Sequence, residues 1–88
     1  MPRSFNLDRL NNIDAEKAGQ AALRVIDALQ VLSPEEQVAG ATLAFSVLID
    51  RFNLRHSQAF QVASNIKRIA LAETPALRAV MAYVSKEL

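Results

Sequence analysis

The chain has no cysteine and no tryptophan, and its 88 residues include only two glycines, three prolines, one tyrosine and one histidine. Without cysteine there is no disulfide, no thiolate nucleophile and no cysteine-ligated metal, which agrees with a reducing, cytoplasmic setting. With so little glycine and proline there is little material for tight turns, whereas fifteen alanines favour helix over sheet. No apolar run reaches the roughly 20 residues that a membrane span needs. The opening Met1-Pro2-Arg3-Ser4-Phe5-Asn6 lacks the apolar stretch of a signal peptide. The length fits one domain.

Four helices are predicted, over 15–32, 34–52, 58–72 and 75–87. Together they make a compact all-α bundle with short loops and no internal repeat. Ser33-Pro34-Glu35-Glu36 is a strong helix start. Ser33 takes the N-cap, Pro34 sits where no amide donor is needed, and Glu36 completes a capping box. No charge follows until Asp50, and helical spacing gives this segment two apolar faces. Val38, Ala41, Phe45, Leu48, Ile49 and Phe52 form one; Gly40, Leu43 and Val47 form the other, flanked by Ala44. A helix apolar nearly all round is normally buried, so 34–52 is expected at the centre of the bundle.

Asp14 is the expected cap of the helix before it, which carries Ala15, Ala18, Ala22, Val25, Leu29 and Leu32 on one stripe. Gly19 in its interior suits a tight crossing. Asn53 tolerates a left-handed backbone and is expected to close the central helix. Ser57 is the expected cap of 58–72, and Thr74-Pro75 that of 75–87, whose inner face reads Leu77, Val80, Met81, Val84 and Leu88. Residues 1–13 read either as a short helix capped by Ser4 or as a loosely packed arm.

The residue inventory argues against an enzyme. There is one histidine, His56, in a turn between Arg55 and Ser57. The pair Glu35-Glu36 is explained by capping. No spaced His or carboxylate ligands, EF-hand loop or glycine-rich phosphate loop occurs, so no catalytic residue, metal site, cofactor or small-molecule substrate is expected.

Charge is unevenly placed. Residues 1–50 carry four bases and seven acids, residues 51–88 six bases and two acids, and none of those acids lies between Asp50 and Glu73. This raises a nucleic-acid reading, because 34–52, the Asn53-Leu54 turn and 58–72 can be laid on a helix-turn-helix template. Leu48, Phe52, Leu54, Ala59 and Val62 fall at its apolar positions. The DNA-facing set would be Arg55, Gln58, Gln61, Asn65 and Arg68, since Gln and Asn can pair adenine and Arg can pair guanine or hold phosphate. Ile49 at a position that wants a small residue, Phe60 near the reading face and a net charge of only +1 count against it.

The protein-partner reading is preferred. The Gly40–Leu43–Val47 face and a stripe of Phe60 and Leu71, rimmed by Lys67, exceed what one small core needs. These six residues are the expected interface, of a homo-oligomer or with another protein. From Leu32 to Leu88 the chain also resembles small helical proteins of tailed phages. The residues that carry this are Ser33-Pro34-Glu35-Glu36-Gln37, Arg51-Phe52-Asn53, Thr74-Pro75-Ala76-Leu77-Arg78-Ala79-Val80, Tyr83 and Glu87-Leu88. The resemblance implies expression in a bacterial cytoplasm and a partner from phage or host; it carries no activity or site residue.

Overall fold

The computed structural model describes residues 4–69 and 74–88, and every regular element among them is a helix. They are α1 (Leu7–Asn11), α2 (Ala15–Leu29), α3 (Pro34–Arg51), α4 (His56–Ile69) and α5 (Pro75–Glu87). The four expected helices are present, preceded by the short α1. Asn6 rather than Ser4 caps α1, its side chain accepting from the Arg9 amide. Asp14 caps α2 through the Lys17 amide. At Ser33 both arms of the capping box form, with the Glu36 amide donating to Ser33 Oγ at 3.2 Å and the Ser33 amide to Glu36 Oε1 at 3.1 Å. These bonds hold the Glu36 carboxyl below its ordinary pKa, the Ser33 backbone amide contributing most.

Two boundaries differ by more than one residue from the sequence reading. Helix α2 stops at Leu29, three residues short of the expected end. Pro34 forces Ser33 into extended backbone, so the chain must leave the helix early. Gln37 of α3 then reaches back, its side-chain amide donating to the carbonyls of Leu29 and Leu32 at 3.0 and 3.1 Å. Helix α4 begins at His56, so Ser57 is not its cap; Gln58 Oε1 instead accepts from the Arg55 amide at 3.0 Å. The part of the expected 58–72 helix beyond Ile69 lies outside the described residues.

The broadest helix–helix packing joins α2 and α5. Gly19 is buried where they cross: a Cβ there would lie 2.9 Å from Ala76 Cβ and 2.9 Å from the Leu77 amide nitrogen. Helix α5 therefore presents Ala76 and Leu77 as buried residues, with Val80 and Tyr83 half-buried beside them. The expected face is corrected here, because Met81, Val84 and Leu88 are exposed. Close approach to a glycine selects the small Ala76, which rotates the larger apolar residues outward. Thr74 makes no side-chain cap bond to α5. The cap comes from α2 instead, where Glu16 Oε1 accepts from the Ala76 amide at 2.9 Å.

Helices α3 and α4 meet at a Schellman turn. Asn53 has φ 56°, the left-handed conformation expected of it. The Asn53 amide donates to the Asp50 carbonyl at 3.2 Å and the Leu54 amide to the Ile49 carbonyl at 3.0 Å. Ile49 is the best-buried apolar residue, 4% exposed. The N-terminal arm docks here too: Phe5 stacks on Phe52 with ring centroids 5.2 Å apart. The expectation of a buried central helix needs correction, because Ile49 is the one residue of α3 that is buried. Val38 and Leu48, expected in the core, are 69% and 56% exposed. The arm and α4 cover only the side of α3 that carries Phe45, Ile49 and Phe52.

Candidate interaction surfaces

One side of α3 is left uncovered. At about 100° per residue, Glu36, Gly40, Leu43, Ala44, Val47 and Arg51 fall on one sector, and all six are exposed. Leu43 is 67% and Val47 59% exposed. A Cβ added at Gly40 would meet nothing within 4 Å, the opposite of Gly19. The sector is apolar in the middle with one charge at each end, acidic Glu36 in the first turn and basic Arg51 in the last. The Arg51 guanidinium lies 5.3 Å from the centroid of the Phe52 ring.

Of the other expected interface residues, Phe60 is 60% exposed on α4. One side of its ring meets Phe45, centroids 4.9 Å apart, and Phe45 meets the His56 ring edge-on at 5.8 Å. Lys67 is exposed one turn from the end of α4, and Leu71 lies outside the described residues. Gly40, Leu43 and Val47 thus share one surface, while Phe60 and Lys67 stand on a different helix. Sequence spacing placed Ala44 on the flank of that surface but missed Leu48 as its exposed edge, because it assumed that the neighbouring face was fully covered.

The expected nucleic-acid set is only partly assembled. Gln61, Asn65 and Arg68 form a ladder along α4: Gln61 Nε2 donates to Asn65 Oδ1 at 2.9 Å, and Arg68 Nη2 donates to the same oxygen at 3.4 Å. Arg55 is exposed at the start of the helix. Gln58 departs from the expectation, since its side-chain oxygen is engaged at the helix start. The polar ladder also faces the end of α1. Asn11 and Ile13 stand across a cleft of about 510 Å³ from Ser57, Gln58, Gln61, Val62, Asn65 and Ile66.

A third polar group lies on the α2–α5 pair. The Tyr83 hydroxyl reaches Asp27 Oδ1 at 2.9 Å and Gln30 Oε1 at 2.8 Å. Partial desolvation, and then the neighbouring Asp27 carboxylate, raise the Tyr83 pKa above its ordinary 10.0. Among the described residues no group of three or more histidine, aspartate or glutamate side chains is placed to hold a metal ion. No helix among them is long and apolar enough to cross a membrane. No family model, curated protein or solved structure matches the chain.

Proposed function

We propose that this is a non-enzymatic binding protein that works through protein contact and associates with itself. One observation carries the reading. The chain exposes 6866 Å² of surface, whereas a compact monomer of 9.7 kDa exposes about 5,100 Å². The excess of about 1,700 Å² is roughly twice what each partner contributes to an interface of standard size. Its radius of gyration, 13.5 Å, likewise exceeds the roughly 12 Å of a compact chain of this length. Thirteen large hydrophobic residues are exposed, against three apolar residues that are buried among those described, so the core of one copy is thin for the surface it must support. The α3 sector supports the reading because it joins exposed Leu43 and Val47 in a single patch.

Sedimentation equilibrium over a concentration range tests this. The wild type should self-associate, and Leu43→Asp should be monomeric with its helicity intact, because Leu43 touches little within its own copy. A wild type that stays monomeric at its solubility limit overturns the proposal.

Duplex DNA is a second reading, favoured by the Schellman joint at Asn53 and by the acid-free ladder of Gln61, Asn65 and Arg68. It predicts salt-sensitive binding of mixed-sequence duplex that is lost in Gln61→Glu with Arg68→Glu. Unchanged affinity in that double variant removes it. The resemblance to tailed-phage proteins would place any further partner in a phage or its bacterial host.

A further inference from the structure

The pattern on α3 also specifies how a second copy would sit, an inference that rests on the self-association just proposed. We infer that the partner is an identical chain whose α3 crosses this one antiparallel, about a two-fold axis passing between Leu43 and Ala44.

Three features of the sector point to that register. The first is charge. Glu36 lies seven positions before Leu43, and Arg51 lies seven positions after Ala44. A two-fold axis between Leu43 and Ala44 therefore brings each Glu36 opposite the second copy's Arg51, at both ends of the contact. A parallel pairing places Glu36 against Glu36 and Arg51 against Arg51, which repel. Within one copy, Glu36 uses one carboxylate oxygen on Ser33 and leaves the other open.

The second feature is shape. Gly40 lies three positions before Leu43, and Val47 three after Ala44. The same axis sets each Val47 over the second copy's Gly40 and each Leu43 over the second copy's Ala44. Large residues meet small ones along the whole line, as packed helix pairs require. A parallel pairing stacks Leu43 on Leu43 and leaves Gly40 facing Gly40.

The third feature is Gly40 itself. A glycine in a helix interior costs about 1 kcal/mol relative to alanine. At Gly19 the crossing with α5 accounts for it, since a side chain there would strike Ala76. At Gly40 nothing among the described residues lies within 4 Å of the position a Cβ would take. The close approach of a second helix supplies the missing reason. The contact is isologous and closes on itself, so it gives a dimer rather than a filament.

The chain has no native cysteine, so single cysteines read the register directly. In the antiparallel arrangement the two copies of residue 44 are offset by about 1.5 Å along the helix axis and those of residue 47 by about 10 Å, from a rise of about 1.5 Å per residue. A disulfide needs Cα atoms within about 7 Å. Under mild oxidation Ala44→Cys should therefore form a covalent dimer and Val47→Cys should not, both being folded by circular dichroism. Cross-linking of both variants means a parallel pairing and overturns the inference. Cross-linking of neither, in a wild type that sediments as a dimer, shows that a different surface associates; it overturns the register while leaving self-association standing. A monomeric wild type overturns both.

Discussion

Changing Gly19 to alanine tests the central packing argument, because in an open helix the same change stabilises. Alanine in place of an interior glycine gains about 1 kcal/mol. At Gly19 the new Cβ would lie 2.9 Å from Ala76 Cβ, 2.9 Å from the Leu77 nitrogen and 3.2 Å from the Ala76 carbonyl carbon. Two of those three atoms are main chain, so no rotamer change relieves the overlap and α5 has to move away as a body. Overpacking of this kind costs about 1–3 kcal/mol. The retreat also lengthens the bond from the Ala76 amide to Glu16, worth about 1 kcal/mol. After the helix-propensity gain, Gly19→Ala should lose about 1–3 kcal/mol. At roughly 4–8 °C per kcal/mol for a domain of this size, Tm should fall by some 5–25 °C. Thermal melts followed by circular dichroism, at matched protein concentration, measure it. A Tm equal to or above wild type would show that α2 and α5 do not meet closely at Gly19. Gly40→Ala is the internal comparison. In dilute solution, where single copies prevail, it should stabilise by up to about 1 kcal/mol. In the proposed antiparallel dimer its Cβ would meet the second copy's Val47, so association should also weaken.

Three further outcomes follow from the same bonds. Asn53, at φ 56°, should tolerate glycine with a small gain, whereas Asn53→Val should lose about 1–2 kcal/mol because a branched Cβ resists the left-handed region; equal urea midpoints for the two variants would deny the Schellman turn. Glu16→Ala should cost about 1–3 kcal/mol by orphaning the part-buried Ala76 amide, and Glu16→Gln should recover most of it because an acceptor oxygen remains; equal losses in the two would show that the cap is not what Glu16 contributes. Stability should erode at both ends of the pH scale. The lowered pKa of Glu36 gives a contribution complete above the ordinary 4.5 and lost as pH falls through the folded value, while the raised pKa of Tyr83 gives one complete below 10.0 and lost as pH rises through the folded value. Urea midpoints across pH should show an acid limb that flattens in Glu36→Gln and an alkaline limb that flattens in Tyr83→Phe, and unchanged limbs would refute these assignments.

What could be read from the sequence was what neighbouring residues decide among themselves. The capping box at Ser33, the cap at Asp14 and the left-handed Asn53 each need only a few adjacent residues, and each is found where expected. Helix faces were harder to read. Hydrophobicity ranks Met81 and Val84 above Ala76 and Tyr83, but contact with Gly19 rewards a small side chain, and Asp27 and Gln30 satisfy the Tyr83 hydroxyl. Thr74-Pro75 marked where α5 starts, but the bond from the Ala76 amide to Glu16 had no local signal, because its donor and acceptor lie 60 residues apart. The breadth of the α3 apolar surface was plain in the sequence; which half the chain itself would cover was not, since that depended on where Phe5 and α4 came to rest. Of the candidate site, Gly40, Leu43 and Val47 are legible as one face by spacing alone, while Phe60 and Lys67, placed by spacing on a separate stripe, stand on another helix.

The pairing of α2 with α5 also sets the order in which the molecule can be completed during synthesis. The face of α2 around Gly19 has its partner at the far end of the chain, so it stays bare on the ribosome while the turn at Ser33, α3 and α4 are made. The hairpin of α3 and α4 can form in that interval, because its joint at Asn53 is local. The Glu16 carboxylate has no α5 amide to cap until those residues follow. Stability therefore arrives late and nearly all at once, when Pro75–Glu87 emerges, and a nascent chain stalled before that point carries two uncovered apolar surfaces instead of one.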